Sequence, residues 1–118
     1  MNDRIIIRGL RLRCTIGVEE WERHVIQELT SDLDLYFPLQ TAGISDDIAQ
    51  TINYKTLTKQ IIQLAESSRF FLVEALAEAM ANLCLQQGAL QVRVQLEKPG
   101  ALRFADSVGV EIHRSRQT

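Results

Sequence analysis

The chain carries no apolar run approaching the roughly 20 residues that cross a bilayer, so no membrane-spanning helix is expected. Cys14 and Cys84 are its two cysteines, too few for a disulfide framework, and both read as buried or idle thiols. The two histidines, His24 and His113, form no pair with each other or with the cysteines at ligand spacing, so no metal site is expected. None of the patterns G-x-S-x-G, G-x-G-x-x-G or G-x-x-x-x-G-K-S/T occurs, which removes support for a nucleophile elbow and for a bound cofactor. A net charge of −2 with scattered lysines and arginines lacks the basic footprint of a nucleic-acid binder. The start "MNDRIIIRGL" enters a strand-like pattern without a signal-peptide layout, so the expected compartment is the cytoplasm.

What is present is an ordinary globular composition, 46% hydrophobic and 24% charged over 118 residues, read as a single domain spanning 1–118 that buries a core without staples. Residues 3–15 read as a strand in which Ile5, Ile7, Leu10 and Leu12 are apolar and the arginines of "RGLRLR" are solvated. Residues 27–37 alternate Leu29, Leu33, Leu35 and Phe37 with polar neighbours. The acidic link "IGVEEWERHVIQ" between them is longer than a hairpin needs and holds the sole tryptophan, Trp21; such loops carry function. Ser45 is expected to cap a helical turn and Asn53 to cap a helix over Tyr54–Ser67 with the stripe Leu57, Ile61, Leu64 and Ala65. A second helix over residues 72–87 uses Val73, Leu76, Ala77, Met80 and Cys84, and Gly88 stops it. Two strands flank the Pro99-Gly100 turn, the last one alternating at Val108, Val110 and Ile112. The order ββααββ predicts an α+β fold: a four-stranded antiparallel sheet with both helices on one face. Open sheet edges favour pairing with another chain, so a homo-oligomer is expected.

One residue breaks its local pattern. Leu90, Val92, Val94 and Leu96 alternate with polar residues, and Lys98 continues the apolar series. A partly buried ammonium without a partner is costly and shifts into a chemically useful range, although a lysine at a strand end also snorkels to water. Glu74, in the first turn of the second helix, sits where the helix dipole favours a carboxylate. Tyr54 at a helix start reads by itself as packing, and Glu22 beside Trp21 as a solvated loop carboxylate. No metal or phosphate motif ties these residues together.

Taken in order, "IGVEEWER", "NYKTLTK", "RFFLVEALAE" and "KPGALRFADSVGVEI" resemble the dihydroneopterin aldolase family of the tunnelling-fold superfamily, over residues 4–114. The resemblance implies that Glu74 accepts hydrogen bonds from the 2-amino group and ring N–H of a pterin, with backbone at Leu72 and Val73 on the same edge. It implies that Lys98 is the catalytic lysine, Glu22 the carboxylate near the hydroxylated side chain, and Tyr54 a catalytic tyrosine contributed across a subunit boundary, with Ile52 lining the pocket. The implied reaction is a retro-aldol cleavage of 7,8-dihydroneopterin to glycolaldehyde and 6-hydroxymethyl-7,8-dihydropterin. The N5=C6 imine is then the electron sink, so neither Schiff base nor metal is required. The alternative is dihydroneopterin triphosphate 2'-epimerase: "LRLR", "NYKTLTK" and "ALRFADSV" lean that way, whereas Trp21-Glu22, "FLVEALAE", Pro99-Gly100 and "VGVEI" lean toward the aldolase, which is preferred with epimerisation as a side activity. A non-catalytic pterin-binding module is the alternative of another class. The resemblance further implies a homo-octamer of two stacked tetrameric rings with pockets between subunits.

Overall fold

The apolar residues of the first strand are out of step: Ile5 and Ile7 are separated from Leu10, Leu12 and Cys14 by an odd interval, yet all five pack on the core. The computed structural model, which describes residues 3–116, accommodates this with a β-bulge. Met1, Asn2, Gln117 and Thr118, the ends of the expected 1–118 domain, lie outside the described residues. Strand β1 (Arg4–Cys14) slips register against β2 (Gln27–Tyr36) between Ile7 and Leu10. Gly9 supplies the left-handed backbone of the bulge at φ 66°, and its N–H is taken by Asp32 Oδ1 at 2.8 Å. The inserted residue returns both halves of β1 to one face.

Between the strands lies a 3-10 turn, Glu20–His24. After β2 come a short helix α1 (Gln40–Ser45) and a second 3-10 turn (Ile48–Gln50), then α2 (Tyr54–Ser67), α3 (Val73–Gln86), β3 (Gln91–Pro99) and β4 (Ser107–Ser115). The strands pair antiparallel in the order β1-β2-β3-β4. Asn53 caps α2 by accepting from the Thr56 N–H at 3.2 Å, which satisfies an otherwise orphaned donor. Leu57, Ile61 and Ala65 of α2 and Leu76, Ala77, Met80, Ala81 and Cys84 of α3 are buried. Both helices cover the same face of the sheet, α2 against β1 and α3 against β3 and β4. Gly88, at φ 119°, turns the chain out of α3 as the sequence predicts. No helix among the described residues is long and apolar enough to cross a membrane.

Three local expectations are corrected. Ser45 ends α1 instead of capping a turn; Asp46 adopts a left-handed conformation at φ 57°, and the side chain of Asp47 caps the next turn through the Ala49 N–H at 3.0 Å. Leu90 is 44% exposed because it precedes the first β2–β3 pair, Tyr36↔Gln91, and so stands outside the alternation that buries Val92, Val94 and Leu96. The arginines expected to be solvated are partly committed to a buried carboxylate. Asp34 projects onto the sheet face opposite the helices and is fully buried. Arg93 Nε donates to its Oδ2 at 2.5 Å, while Arg8 and Arg4 approach within 3.0 and 3.5 Å. Arg93 reaches on to Gln95 and Glu111.

Burial alone would raise the Asp34 pKa, but hydrogen bonds and charge from Arg93 and Arg8 outweigh it and hold the carboxyl below its ordinary 3.8. A depressed carboxylate stabilises the fold above its unfolded pKa, and that contribution is lost as pH falls through the folded value. Asp34→Ala is expected to destabilise the chain by about 3 kcal/mol at neutral pH, because it removes the buried carboxylate on which three arginines converge and leaves Arg93 only the exposed Glu111. Urea unfolding measured against pH checks this, with the difference from the unaltered chain shrinking below about pH 3.8.

Candidate active site

At one end of the sheet two polar side chains interrupt apolar series on the helix-covered face. Gln27 begins the series Leu29, Leu33 and Leu35 on β2, and Lys98 ends Val92, Val94 and Leu96 on β3. The Lys98 side chain is only 12% exposed and its Nζ stands 2.5 Å from Glu22 Oε2. The ammonium expected to lack a partner therefore has one. Its partner, expected by local reading to be solvated, is 7% exposed although it sits in the loop between β1 and β2.

Local geometry explains how a loop carboxylate becomes fixed. Glu22 Oε1 accepts from the Glu19 N–H at 3.1 Å, the reciprocal half of a capping box at the start of the 3-10 turn. Gln27 Nε2 donates to Glu22 Oε2 at 3.3 Å and to the Ile16 carbonyl at 2.7 Å. Gly17 lies directly beneath the carboxylate: a Cβ there would fall 2.2 Å from Glu22 Cδ, and its φ of 127° suits glycine alone. The hydrogen bond from Lys98 lowers the Glu22 pKa below its ordinary 4.5, against the opposing effect of burial and with support from Glu19 and Gln27.

The pair opens onto a cleft of about 300 Å³ lined by Gly17, Val18, Glu22 and Lys98 together with Leu72, Val73, Glu74 and residues 108–110 of β4. Glu74 lies in the first turn of α3, whose N-terminus has no side-chain cap. Gly109 permits the close strand approach here, since a Cβ would fall 2.3 Å from the Leu96 carbonyl oxygen. The cleft thus presents apolar walls, a free carboxylate with two acceptor oxygens, and an ammonium held by a second carboxylate. That set can bind a planar amidine-like edge and move a proton. A cleft on the other sheet face, lined by Gly9, Thr30, Asp32, Gln95 and Glu97, has no comparable apolar wall.

Glu22, Leu72, Val73, Glu74 and Lys98 are therefore brought together, and two predicted site residues are not. Tyr54 starts α2, is 52% exposed and does not line the cleft. Ile52 is 1% exposed, with its side chain packed in the core. Gly17 and Gln27 were not singled out from the sequence. Gln27 carried the same signal as Lys98, a polar residue at the end of an apolar alternation, whereas nothing local marked Gly17.

An antiparallel ββααββ unit whose sheet end carries a buried ion pair and a second carboxylate in one apolar-walled cleft fits the class that the resemblance implies, a tunnelling-fold enzyme for a small molecule. The dihydroneopterin aldolase family model matches residues 5–113. The chain is 37% identical over 95% of its length to dihydroneopterin aldolase of Escherichia coli strain K12, covering 93% of that protein. It is 35% identical over 95% of its length to dihydroneopterin triphosphate 2'-epimerase of the same strain, covering 94% of it. It also matches folic acid synthesis protein FOL1 of Dictyostelium discoideum at 38% identity over 96% of the chain, spanning 17% of that protein. The crystal structure of the E. coli aldolase in complex with neopterin superposes with a TM-score of 0.91 at 37% identity, over 96% of this chain and 99% of that one. A Burkholderia dihydroneopterin aldolase bound to guanine gives a TM-score of 0.80 at 27% identity, over 98% and 92% of the two chains. This chain belongs to the dihydroneopterin aldolase family.

Because Glu22 is depressed, the Glu22–Lys98 pair stabilises the fold above pH 4.5 and is lost as pH falls through the lower folded pKa. Glu22→Gln leaves Lys98 enclosed without its counter-charge and is expected to cost about 3 kcal/mol at neutral pH. Chemical unfolding should show that difference shrinking below about pH 4.5.

Proposed function

We propose that the chain cleaves 7,8-dihydroneopterin by a retro-aldol reaction, without a metal ion or a Schiff base, as a cytoplasmic enzyme acting as a single domain. The observation that carries this reading is the convergence of Glu74 and the Lys98–Glu22 pair on one apolar-walled cleft. Glu74 offers two oxygens to the 2-amino group and ring N–H of the pterin, a charge-assisted bidentate contact. In the reaction the proton leaves the second side-chain hydroxyl and the bond between the first and second side-chain carbons breaks, so that glycolaldehyde departs. The bond electrons form a double bond from the first side-chain carbon to C6 while N5 gains a proton; return of a proton to that carbon and loss of one from N5 gives 6-hydroxymethyl-7,8-dihydropterin. Lys98 serves as the acid toward N5, and Glu22 acts near the side-chain hydroxyls.

Tyr54 enters this reading from a second copy, with the main chain beside Ile52. Its exposure away from the cleft supports that assignment, as do the two unpaired sheet edges at β1 and β4. The exposed apolar side chains Val18, Phe71 and Leu72 at the cleft rim suit coverage by that copy, and the assembly we propose is an octamer of two tetrameric rings. The second reading is the triphosphate epimerase, favoured by the relative of that name. It shares the bond-breaking step and differs in recombining the fragments with the aldehyde turned over.

Incubation with 7,8-dihydroneopterin and, separately, with its triphosphate, followed by product chromatography and a glycolaldehyde assay, decides between the readings. The aldolase gives hydroxymethyl-dihydropterin and glycolaldehyde in equal amounts from the free substrate; rapid monapterin triphosphate with little cleavage assigns the epimerase. Lys98→Ala is expected to lower kcat by about 10²–10⁴-fold, the usual worth of a general acid. Glu74→Ala is expected to weaken substrate binding by about 2–3 kcal/mol, the value of hydrogen bonds to a charged group, read from KM and from pterin titration. Mixing Tyr54→Ala with Lys98→Ala subunits should restore activity absent from either alone, and failure to do so removes Tyr54 from the shared site.

A further inference from the structure

The loop that carries Glu22 and the segment that leads into Glu74 are separated by some fifty residues of sequence, yet one side chain ties them together. Arg23, next to Glu22 on the 3-10 turn, donates from Nη1 to the Gly17 carbonyl at 3.0 Å and to the Phe70 carbonyl at 2.9 Å. Its Nη2 donates to the Arg69 carbonyl, and its guanidinium carbon stands 4.1 Å from the centre of the Phe71 ring. The tie is returned: Arg69 Nη2 donates to the Arg23 carbonyl at 2.8 Å, and the Gly17 N–H points to the Phe70 carbonyl at 3.4 Å. Three carbonyl oxygens and an aromatic face around one cation make a site that arginine fills with its planar fork of donors. Gly17 and Val18 form one wall of the cleft, and Phe71 and Leu72 another.

We propose that Arg23 is a positioning residue of the active site: it clamps the Glu22 loop against the segment preceding α3 and so fixes Glu22 on Lys98. This rests on the reading of the cleft as a pterin lyase site. Helix α3 is held independently, through Leu76, Ala77 and Met80 in the core, so Glu74 keeps its place when the clamp is removed. What moves is the Glu22 side of the cleft. Loss of Arg23 therefore impairs the proton-transfer half of the site and spares recognition of the ring edge.

The test compares the unaltered chain with Arg23→Ala, Arg23→Lys and Arg69→Ala. Four readouts are taken: kcat and KM on 7,8-dihydroneopterin, the pH profile of kcat/KM, guanine affinity, and amide hydrogen exchange over residues 17–24 and 69–72. Guanine presents the same amino and ring N–H edge as a pterin, and its affinity is read by isothermal titration calorimetry. Arg23→Ala is expected to lower kcat on the order of 100-fold, the size of effect that a misplacement near 1 Å produces, with guanine affinity changed less than about threefold. Its acid limb is expected to move up toward 4.5 as Glu22 separates from Lys98, and exchange in both segments to quicken while α3 stays protected. Arg23→Lys, which keeps the charge but loses the fork, is expected to recover part of kcat, and Arg69→Ala to show the same pattern more weakly. Unchanged kcat, acid limb and exchange in Arg23→Ala, or parallel loss of guanine binding and catalysis, would overturn the clamp. If Arg23→Ala does not fold, Arg23→Lys and Arg69→Ala decide by the same readouts. An unaltered chain inactive on both pterin substrates refutes the lyase reading instead, and exchange and guanine affinity then judge the clamp alone.

Discussion

The ammonium–carboxylate contact between Lys98 and Glu22 is the interaction on which the organisation of this end of the molecule depends. A lysine at the end of an apolar strand face is costly without a partner, and the partner here comes from a loop 76 residues away in sequence. Binding Glu22 draws the β1–β2 loop over the sheet end, which closes one wall of the cleft and places Gly17 flat under the carboxylate. Gln27 completes the arrangement by holding the same carboxylate and the Ile16 carbonyl. The charge pair thus fastens the loop to the sheet, and the low exposure of both partners keeps water from screening it.

The sheet divides its two faces between different kinds of cohesion. Toward the helices, Leu29, Leu33, Leu35, Val92, Val94 and Leu96 join the stripes of α2 and α3 in one continuous core. On the other face a fully buried Asp34 draws Arg4, Arg8 and Arg93 across three neighbouring strands. The bulge at Gly9 serves both faces: it realigns the apolar residues of β1 on the core side and aims its amide at Asp32 on the polar side. This leaves the sheet end where β2 begins and β3 finishes as the place where loop, helix start and strand end converge.

Much of this architecture was legible because its determinants are local. Period-two alternation marked the strands, the Asn53 cap and the Leu57–Ile61–Ala65 spacing marked α2, and Gly88 marked the end of α3. Lys98 was legible as an anomaly within its own alternation. Ser45 and Leu90 were misread at element boundaries, where one left-handed residue, Asp46, or the first pairing of a ladder decides the outcome. Ile52 illustrates a different limit. An isoleucine just before a helix start is equally suited to a pocket wall or a core, and only packing against the region of Phe37 and Gly88 places its side chain in the core.

By itself the sequence determined which segments are strands and helices, which of their faces are apolar, and, through the order of its motifs, the family to which the chain belongs. The tertiary structure decided which charges meet. The pairing of Lys98 with Glu22, the convergence of three arginines on Asp34 and the grip of Arg23 on the 69–70 backbone all join residues remote in sequence. Periodicity reports only the side of an element on which a side chain lies, because it arises from the repeat of a single backbone. The partner across a gap depends on how separate backbones are brought together, and that is settled only when the shared core is packed.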